Sequence, residues 1–226
     1  MSWRKPGLAL VGLLLIGAAV PVMSQQVRGG ACGELSNHYG PFDYRKHRYG
    51  KLAIVESAHF TPDVEALRKG KSSDYIGDDI RYTLDTSPNH HRALVAVTKL
   101  AARTKALQAP YTKYTVECYF ERAVAFAPDD HIVHMLYAKY LHGLQRTEHV
   151  EYHLKQAQRL AGDNPFSHYN LGLIYFEIGM PEMALVQAHR AMSLGFVRTE
   201  LKDRLAAMGK WTEPVAPATR PASAPQ

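Results

Sequence analysis

Histidine and carboxylate side chains that could bind a metal ion or move protons concentrate between residues 56 and 91 of this chain. Imidazole nitrogens and carboxylate oxygens are ordinary ligands of zinc and other divalent ions. Their spacing matches no metal motif, so a metal-binding protein or a metal-dependent enzyme is the alternative hypothesis and not the main one. The side chains concerned are Glu56, His59, Asp78, Asp79, His90 and His91.

The signatures of common enzymes are absent from the sequence. It contains no Gly-x-Ser-x-Gly, no His-Glu-x-x-His and no glycine loop of the kind that holds phosphate. The chain has 12 histidines, so chance pairs are expected, and pairs such as His131 with His134 and His149 with His153 usually face solvent on a helix. We therefore predict no catalytic residue, no metal site and no cofactor.

The N-terminal segment has the pattern of a secretory signal. Arg4 and Lys5 precede an apolar run from Gly7 to Met23, and small residues follow at the spacing that signal peptidase reads. This predicts cleavage after Ser24 and export, to the periplasm of a bacterium. The alternative is an inner-membrane anchor through residues 7–23, a run at the short limit of a spanning helix. In that case membrane contact is expected through this segment only.

Composition and charge argue against nucleic acid as a partner. The chain is 46% hydrophobic, enough to bury a core, and its formal net charge is +6. The basic residues look scattered, without a Lys/Arg-rich run, and an exported chain does not meet nucleic acid.

Two cysteines, Cys32 and Cys118, remain after the predicted cleavage. An oxidising compartment would allow them to form a disulfide, which would tie the N-terminal part of the chain to a predicted helix. The alternative is that Cys118 is packed on that helix and Cys32 is free.

The stretch "YNLGLIYFEIGMPEMALVQAHRAM", residues 169–192, has the spacing of a helix–turn–helix repeat. In a 34-residue unit that begins at Pro165, small residues fall at positions 8, 20 and 27, and a unit that begins at His131 has them at 8 and 27. Small residues there let two helices approach closely. They are Gly172, Ala184 and Ala191 in one unit and Ala138 and Ala157 in the other.

A third unit precedes these two and is stretched. Its second helix keeps the register and ends before Pro128, whereas its first helix is displaced to residues 87–103. The loop "TKALQAPYTK" therefore holds about six extra residues.

These marks resemble the tetratricopeptide repeat family over roughly residues 76–196. The resemblance implies an all-α fold: a short helical solenoid of about three helix hairpins, closed by a capping helix within "RTELKDRLAAMGKW". The sequence departs from the family pattern at Pro181 and Ala188, where aromatic residues are usual. The Cys-Gly opening and "YGPFDYR" also resemble a group of exported bacterial proteins of this family, for which we know no established activity.

Four segments follow from these patterns. Residues 1–24 are the signal peptide, and residues 25–75 form an irregular N-terminal arm with one short helix that starts at Thr61 and Pro62. Residues 76–211 hold the repeats and the capping helix. Residues 212–226 form a Pro/Ala-rich tail with too few apolar residues to order itself.

The resemblance implies a concave side lined by the first helix of each hairpin. That lining is apolar with an aromatic end, which suits a peptide with hydrophobic anchors from another envelope protein, so we predict a binding or scaffold module. The alternatives are that the aromatic residues pack against the capping segment or the arm, or that the groove holds a second copy of the chain. The predicted contacts are Met135, Phe166, Tyr169, Leu173 and Phe176 as anchors, with Lys139, His142 and Asn170 as polar groups.

Overall fold

A computed structural model describes residues 32–214, and the predicted signal peptide and residues 215–226 of the predicted tail lie outside this range. The described part is all-helical, with no strand, which confirms the predicted fold class. None of its helices is long and apolar enough to cross a bilayer. The helices are α1 Tyr44–His47, α2 Lys51–His59, α3 Pro62–Glu65, α4 Ile76–Thr86, α5 His91–Arg103, α6 Val116–Phe126, α7 His131–Gly143, α8 Thr147–Ala161, α9 Pro165–Glu177, α10 Pro181–Ser193 and α11 Glu200–Ala207.

Three consecutive helix hairpins build the repeat region: α5 with α6, α7 with α8, and α9 with α10. The first helices also stack on one another, α5 on α7 and α7 on α9. Helix α11 then packs on α9 and α10 and buries Leu201 and Leu205, as expected of a capping helix. One core of buried residues runs through all of these helices.

Each first helix of a hairpin begins after a side chain that accepts a hydrogen bond from its first turn. His90 Nδ1 accepts from the backbone N–H of Ala93 at 3.1 Å, and Asn164 Oδ1 accepts from that of Ser167 at 3.2 Å. Asp130 accepts from two backbone N–H groups at the start of α7. Such caps satisfy N–H groups that have no partner within the helix, and they fix where α5, α7 and α9 begin.

The predicted small residues are buried at contacts between helices. A Cβ atom on Gly172 would lie 2.5 Å from Leu201 Cδ2 and 3.3 Å from the carbonyl oxygen of Ala184. Gly172 therefore lets α9, α10 and α11 meet at one point. Its counterpart in the preceding hairpin, Ala138, is fully buried.

The extra residues of the stretched unit form a loop held by its own hydrogen bonds. The N–H of Val116 donates to the carbonyl oxygen of Leu107 at 2.9 Å, and Thr112 Oγ1 donates to that of Ala109 at 2.6 Å. A Cβ atom on Gly77 of α4 would lie 1.8 Å from the carbonyl oxygen of Pro110, so only glycine allows this close approach. The loop is thereby fixed against α4, and Leu107 stays 64% exposed beside α5.

The N-terminal arm is more regular than the sequence predicted. The expected helix does begin after Thr61 but is only four residues long, Pro62–Glu65, and α1 and α2 precede it. Helix α2 shows little amphipathic period because it buries only Leu52 and Val55. These two side chains pack with Tyr44 in a small cluster of their own, which is why the pattern did not reveal the helix.

The predicted disulfide joins Cys32 to Cys118, with 5.2 Å between their Cα atoms. It fixes the start of the arm to α6, the second helix of the first hairpin. The buried side chain of Arg122, one turn further along α6, strengthens this junction, since its Nη1 donates to the carbonyl oxygens of Cys32 at 3.0 Å and Glu34 at 2.7 Å.

Candidate functional site

The predicted aromatic end of the concave side is largely covered. The rings of Phe166 and Tyr169 lie against Phe196, with centroids 4.9 and 4.5 Å apart. Tyr169 is only 4% exposed, and its hydroxyl donates to Glu200 of the capping helix at 3.4 Å. Tyr169 is therefore a packing residue and not a free anchor, because the segment before α11 folds over it, whereas Phe166 remains 62% exposed.

The other predicted contacts do not form one surface. Met135 is 1% exposed, because α7 is enclosed by α5, α8 and α9, so its prediction as an anchor is wrong. Arg204 covers the ring of Phe176 at 4.3 Å, and Lys139 is paired with Glu177 of the next hairpin. The remaining three side chains are exposed or half-buried without a shared pocket: His142, Asn170 and Leu173.

An open apolar groove lies instead between α5 and α7, and we call it the α5–α7 groove. It has a volume of about 410 Å³, and the buried ring of Phe120 forms its floor. The loop before α6 and the end of α7 close one end with the exposed side chains of Leu107 and Leu144. The walls come from Val95, Thr98 and Ala102 on α5 and from Leu136 and Tyr140 on α7.

The groove continues toward the beginnings of both helices. A second depression of about 210 Å³ shares Val95, Lys99 and Leu136 with the first and adds Ile132. It ends at the ion pair of Arg92 with Glu65. The hydrogen bond from Arg92 lowers the pKa of Glu65, so this end of the groove carries a balanced pair of charges.

The rim of the groove is basic. The side chain of Lys99 is exposed and forms no ion pair or hydrogen bond with any residue between 32 and 214, although its charge adds to that of Arg92 in lowering the pKa of Glu65. Lys139 stands on the opposite wall, where Glu177 neutralises it. Arg103 lies beyond Lys99 and donates to the carbonyl oxygen of Leu67 at 2.7 Å. A carboxylate brought to this rim would find Lys99 available.

On α7, the sequence-based prediction missed the apolar wall of the groove by one residue. It took Met135 as an anchor, whereas the apolar wall is made by the next residue, Leu136, and by Tyr140. The other predicted α7 contact, Lys139, does line the groove. One residue turns a helix by about 100°, which exchanges the core face for the open face. The i, i+4 spacing of Leu136 and Tyr140, with polar Lys139 between them, was the available signal.

The side chains considered as metal ligands lie in separate pairs. His59 contacts Asp79 at 2.9 Å, and His90 contacts Glu56 at 3.0 Å. In addition, His91 contacts Asp130 at 2.8 Å, and Asp78 forms an ion pair with an arginine. In residues 32–214 the donor group close enough to share an ion comprises Glu121 and the two cysteines, whose sulfurs are joined in the disulfide. The predicted donors are thus not brought together, and no metal site is proposed.

Two buried polar pairs repeat at the same place in successive hairpins. His134 Nδ1 lies 2.8 Å from His153 Nδ1, and 34 residues later His168 Nδ1 lies 2.8 Å from Gln187 Oε1. The Nε2 atom of each first histidine contacts a backbone oxygen of the preceding turn. The expectation that His134 and His153 face solvent is wrong, because both line the seam between α7 and α8. Burial lowers the pKa of both imidazoles, that of His153 to about 3.

No protein-family model, no curated protein and no solved structure matches this chain. The tetratricopeptide resemblance remains a prediction, carried by the repeat marks in the sequence.

Proposed function

We propose that this protein is an exported tetratricopeptide-like module that binds a peptide segment of another envelope protein in the α5–α7 groove. The observation that carries the proposal is an open apolar groove whose rim holds a cation, Lys99, without an ion-pair partner among residues 32–214. The Cys32–Cys118 bridge supports export, since disulfides persist in oxidising compartments.

The chemistry of the groove defines the peptide. A volume of about 410 Å³ takes two or three medium-sized apolar side chains. Covering them stabilises the complex by about 25 cal/mol for each Å² of apolar surface removed from water. A carboxylate placed next to these anchors would pair with Lys99. We therefore expect a segment with Leu, Ile or Phe anchors and at least one nearby Asp or Glu.

Site-specific photocrosslinking in the envelope tests the location. A photoreactive amino acid replaces Ala102, an exposed residue on the groove wall, or Phe166 at the aromatic end. We expect a defined adduct from position 102, and mass spectrometry identifies the crosslinked peptide and its composition. An adduct from position 166 alone would place binding at the aromatic end. An adduct with a second copy of the chain would show that the protein self-associates and does not bind another envelope protein there.

Two exposed residues at the mouth of the groove offer variants that should fold normally. Leu107→Asp and Leu144→Asp place charge on the apolar rim, whereas Val186→Asp does the same on α10, away from the groove. The adduct should disappear in the first two and persist in the third. Equal adduct yields from all three would contradict the groove as the binding site.

A further inference from the structure

A basic and apolar surface lies on the N-terminal arm, outside the α5–α7 groove. Between residues 44 and 55 the chain has four Lys or Arg residues and no Asp or Glu. Tyr49 is 90% exposed and Ile54 is 64% exposed, on the turn between α1 and α2 and on α2 itself. We call this surface the arm patch, and its members are Lys46, Arg48, Tyr49, Lys51 and Ile54.

Two of the three cations of the arm patch form no ion pair among residues 32–214, and the third forms a long one. Arg48 lies over aromatic rings at 5.6 and 5.4 Å, and Lys51 lies over a ring at 4.9 Å, without an ion pair to any residue from 32 to 214. Lys46, 71% exposed, makes only a 3.8 Å contact with Asp43.

The acids near these cations are already engaged. Glu56 accepts a hydrogen bond from His90, which lowers the pKa of this carboxyl group, with a smaller contribution from Arg48. Asp43 is bonded to Arg45, which also reaches Asp129 at 2.9 Å. These acids therefore neutralise the positive charge of the arm patch only in part.

Each apolar member of the arm patch lies beside a cation: Tyr49 beside Arg48, and Ile54 beside Lys51. Lys51 and Ile54 are three residues apart on α2, so their side chains are neighbours on the helix surface. Ile54 also borders a shallow depression of about 350 Å³ whose other walls include Tyr39, Ala58 and Tyr82. Ile54 is thus a largely exposed aliphatic side chain with a lysine on one side and two tyrosines in the depression that it borders.

We propose that the arm patch binds the surface of a lipid bilayer that contains anionic phospholipids. Each Lys or Arg near such a surface is attracted by the phosphate headgroups, and tyrosine settles at headgroup level with its ring toward the acyl chains. Ile54 and the depression beside it would enter the boundary of the acyl region. A soluble polyanion would pair with the cations but would leave Tyr49 and Ile54 in water, which is why the bilayer is favoured.

Vesicle co-sedimentation tests this proposal with the chain from residue 25 onward, without the apolar run of residues 7–23. The two buried cores lie within the residues of this chain, and circular dichroism checks its folding. We expect binding to vesicles of phosphatidylglycerol and phosphatidylethanolamine, weaker binding in higher salt, and little binding to phosphatidylcholine vesicles. Equal binding to both vesicle types would overturn the proposal.

A matched set of variants assigns the binding to the arm patch. Removing the three cations as Lys46→Gln, Arg48→Gln and Lys51→Gln should weaken binding about 100-fold, at about fivefold for each charge. The control changes Lys69, Lys105 and Lys155 to Gln, which removes the same charge elsewhere and should cost far less. Similar losses in both triple variants would show a non-specific effect of net charge and would reject the arm patch.

A further pair of substitutions distinguishes binding to a bilayer from binding to a free phosphate polymer. Tyr49→Ser with Ile54→Gln should weaken vesicle binding while leaving all cations in place. Binding of inorganic polyphosphate as tightly as vesicles, unchanged by this pair of substitutions, would identify a soluble polyanion and refute the bilayer.

Discussion

At the scale of single residues, two successive hairpins carry different buried hydrogen-bonded pairs at the same two helix positions. His134 with His153 in the second hairpin and His168 with Gln187 in the third tie the same two helix positions together. In the neutral pair, the Nε2–H group of His134 donates to the oxygen of Pro128, so its Nδ1 accepts from His153. A charged imidazole cannot serve as that acceptor, which makes the second hairpin sensitive to acid.

The substitution His153→Gln should reduce this sensitivity by copying the next repeat. Burial holds the pKa of His153 at about 3 in the folded protein, against 6.5 for a free imidazole. The unfolded chain therefore takes up the proton first, and stability present above pH 6.5 is lost as the pH falls toward 3. At pH 5 this one group costs about 2 kcal/mol of unfolding free energy.

Urea unfolding at pH 7.5 and pH 5 measures how much unfolding free energy each protein loses between these two pH values. We expect His153→Gln to lose about 2 kcal/mol less than the unmodified protein over this interval. The control is His142→Gln, which removes an exposed imidazole outside the buried pair. The same acid loss in His153→Gln as in the unmodified chain would show that the pair is not the acid-sensitive element.

At the scale of helices, the chain was predictable where side chains recur at a fixed period. The units beginning at His131 and Pro165 were placed correctly because small residues mark their helix contacts, and α5 was found from its displaced apolar pattern. Helices α1 and α2 were missed, since a small local cluster gives no repeat. The arm patch was missed for a related reason: its charges are local, and a chain-wide view of the basic residues hides them.

Alanine substitutions at two glycines should change the stability of the fold in opposite directions. Gly172→Ala places a methyl group 2.5 Å from Leu201 at the junction of α9, α10 and α11, and should destabilise the fold by about 1 to 3 kcal/mol. Gly143 ends α7, and a Cβ atom added to it would meet no atom within 4 Å, so Gly143→Ala should be neutral or stabilise by up to about 1 kcal/mol. Thermal unfolding of both variants measures the two signs, and equal effects would mean that close packing at Gly172 does not stabilise the cap.

At the scale of the whole molecule, the arm is attached to the rest of the fold at its beginning and again at several points further along. The disulfide and Arg122 hold its beginning to α6. Further along, the N–H of Phe42 donates to the carbonyl oxygen of Thr86 at 2.9 Å, and the N–H of Tyr44 donates to Asn89 at 3.0 Å. The second attachment does not depend on the first, so the arm should stay docked when the bridge is absent.

Replacing both Cys32 and Cys118 by Ser separates these attachments. The bridge closes a loop of 86 residues, so its loss should lower the unfolding free energy by about 4.5 kcal/mol through the greater freedom of the unfolded chain. Native-state hydrogen exchange should still show protected amides at Phe42 and Tyr44, with protection lost only near Cys32. Complete loss of protection through α1 and α2 would instead show that the bridge alone holds the arm. The arm patch would then keep a fixed position on the repeats only in an oxidising compartment, because its attachment would depend on the bridge.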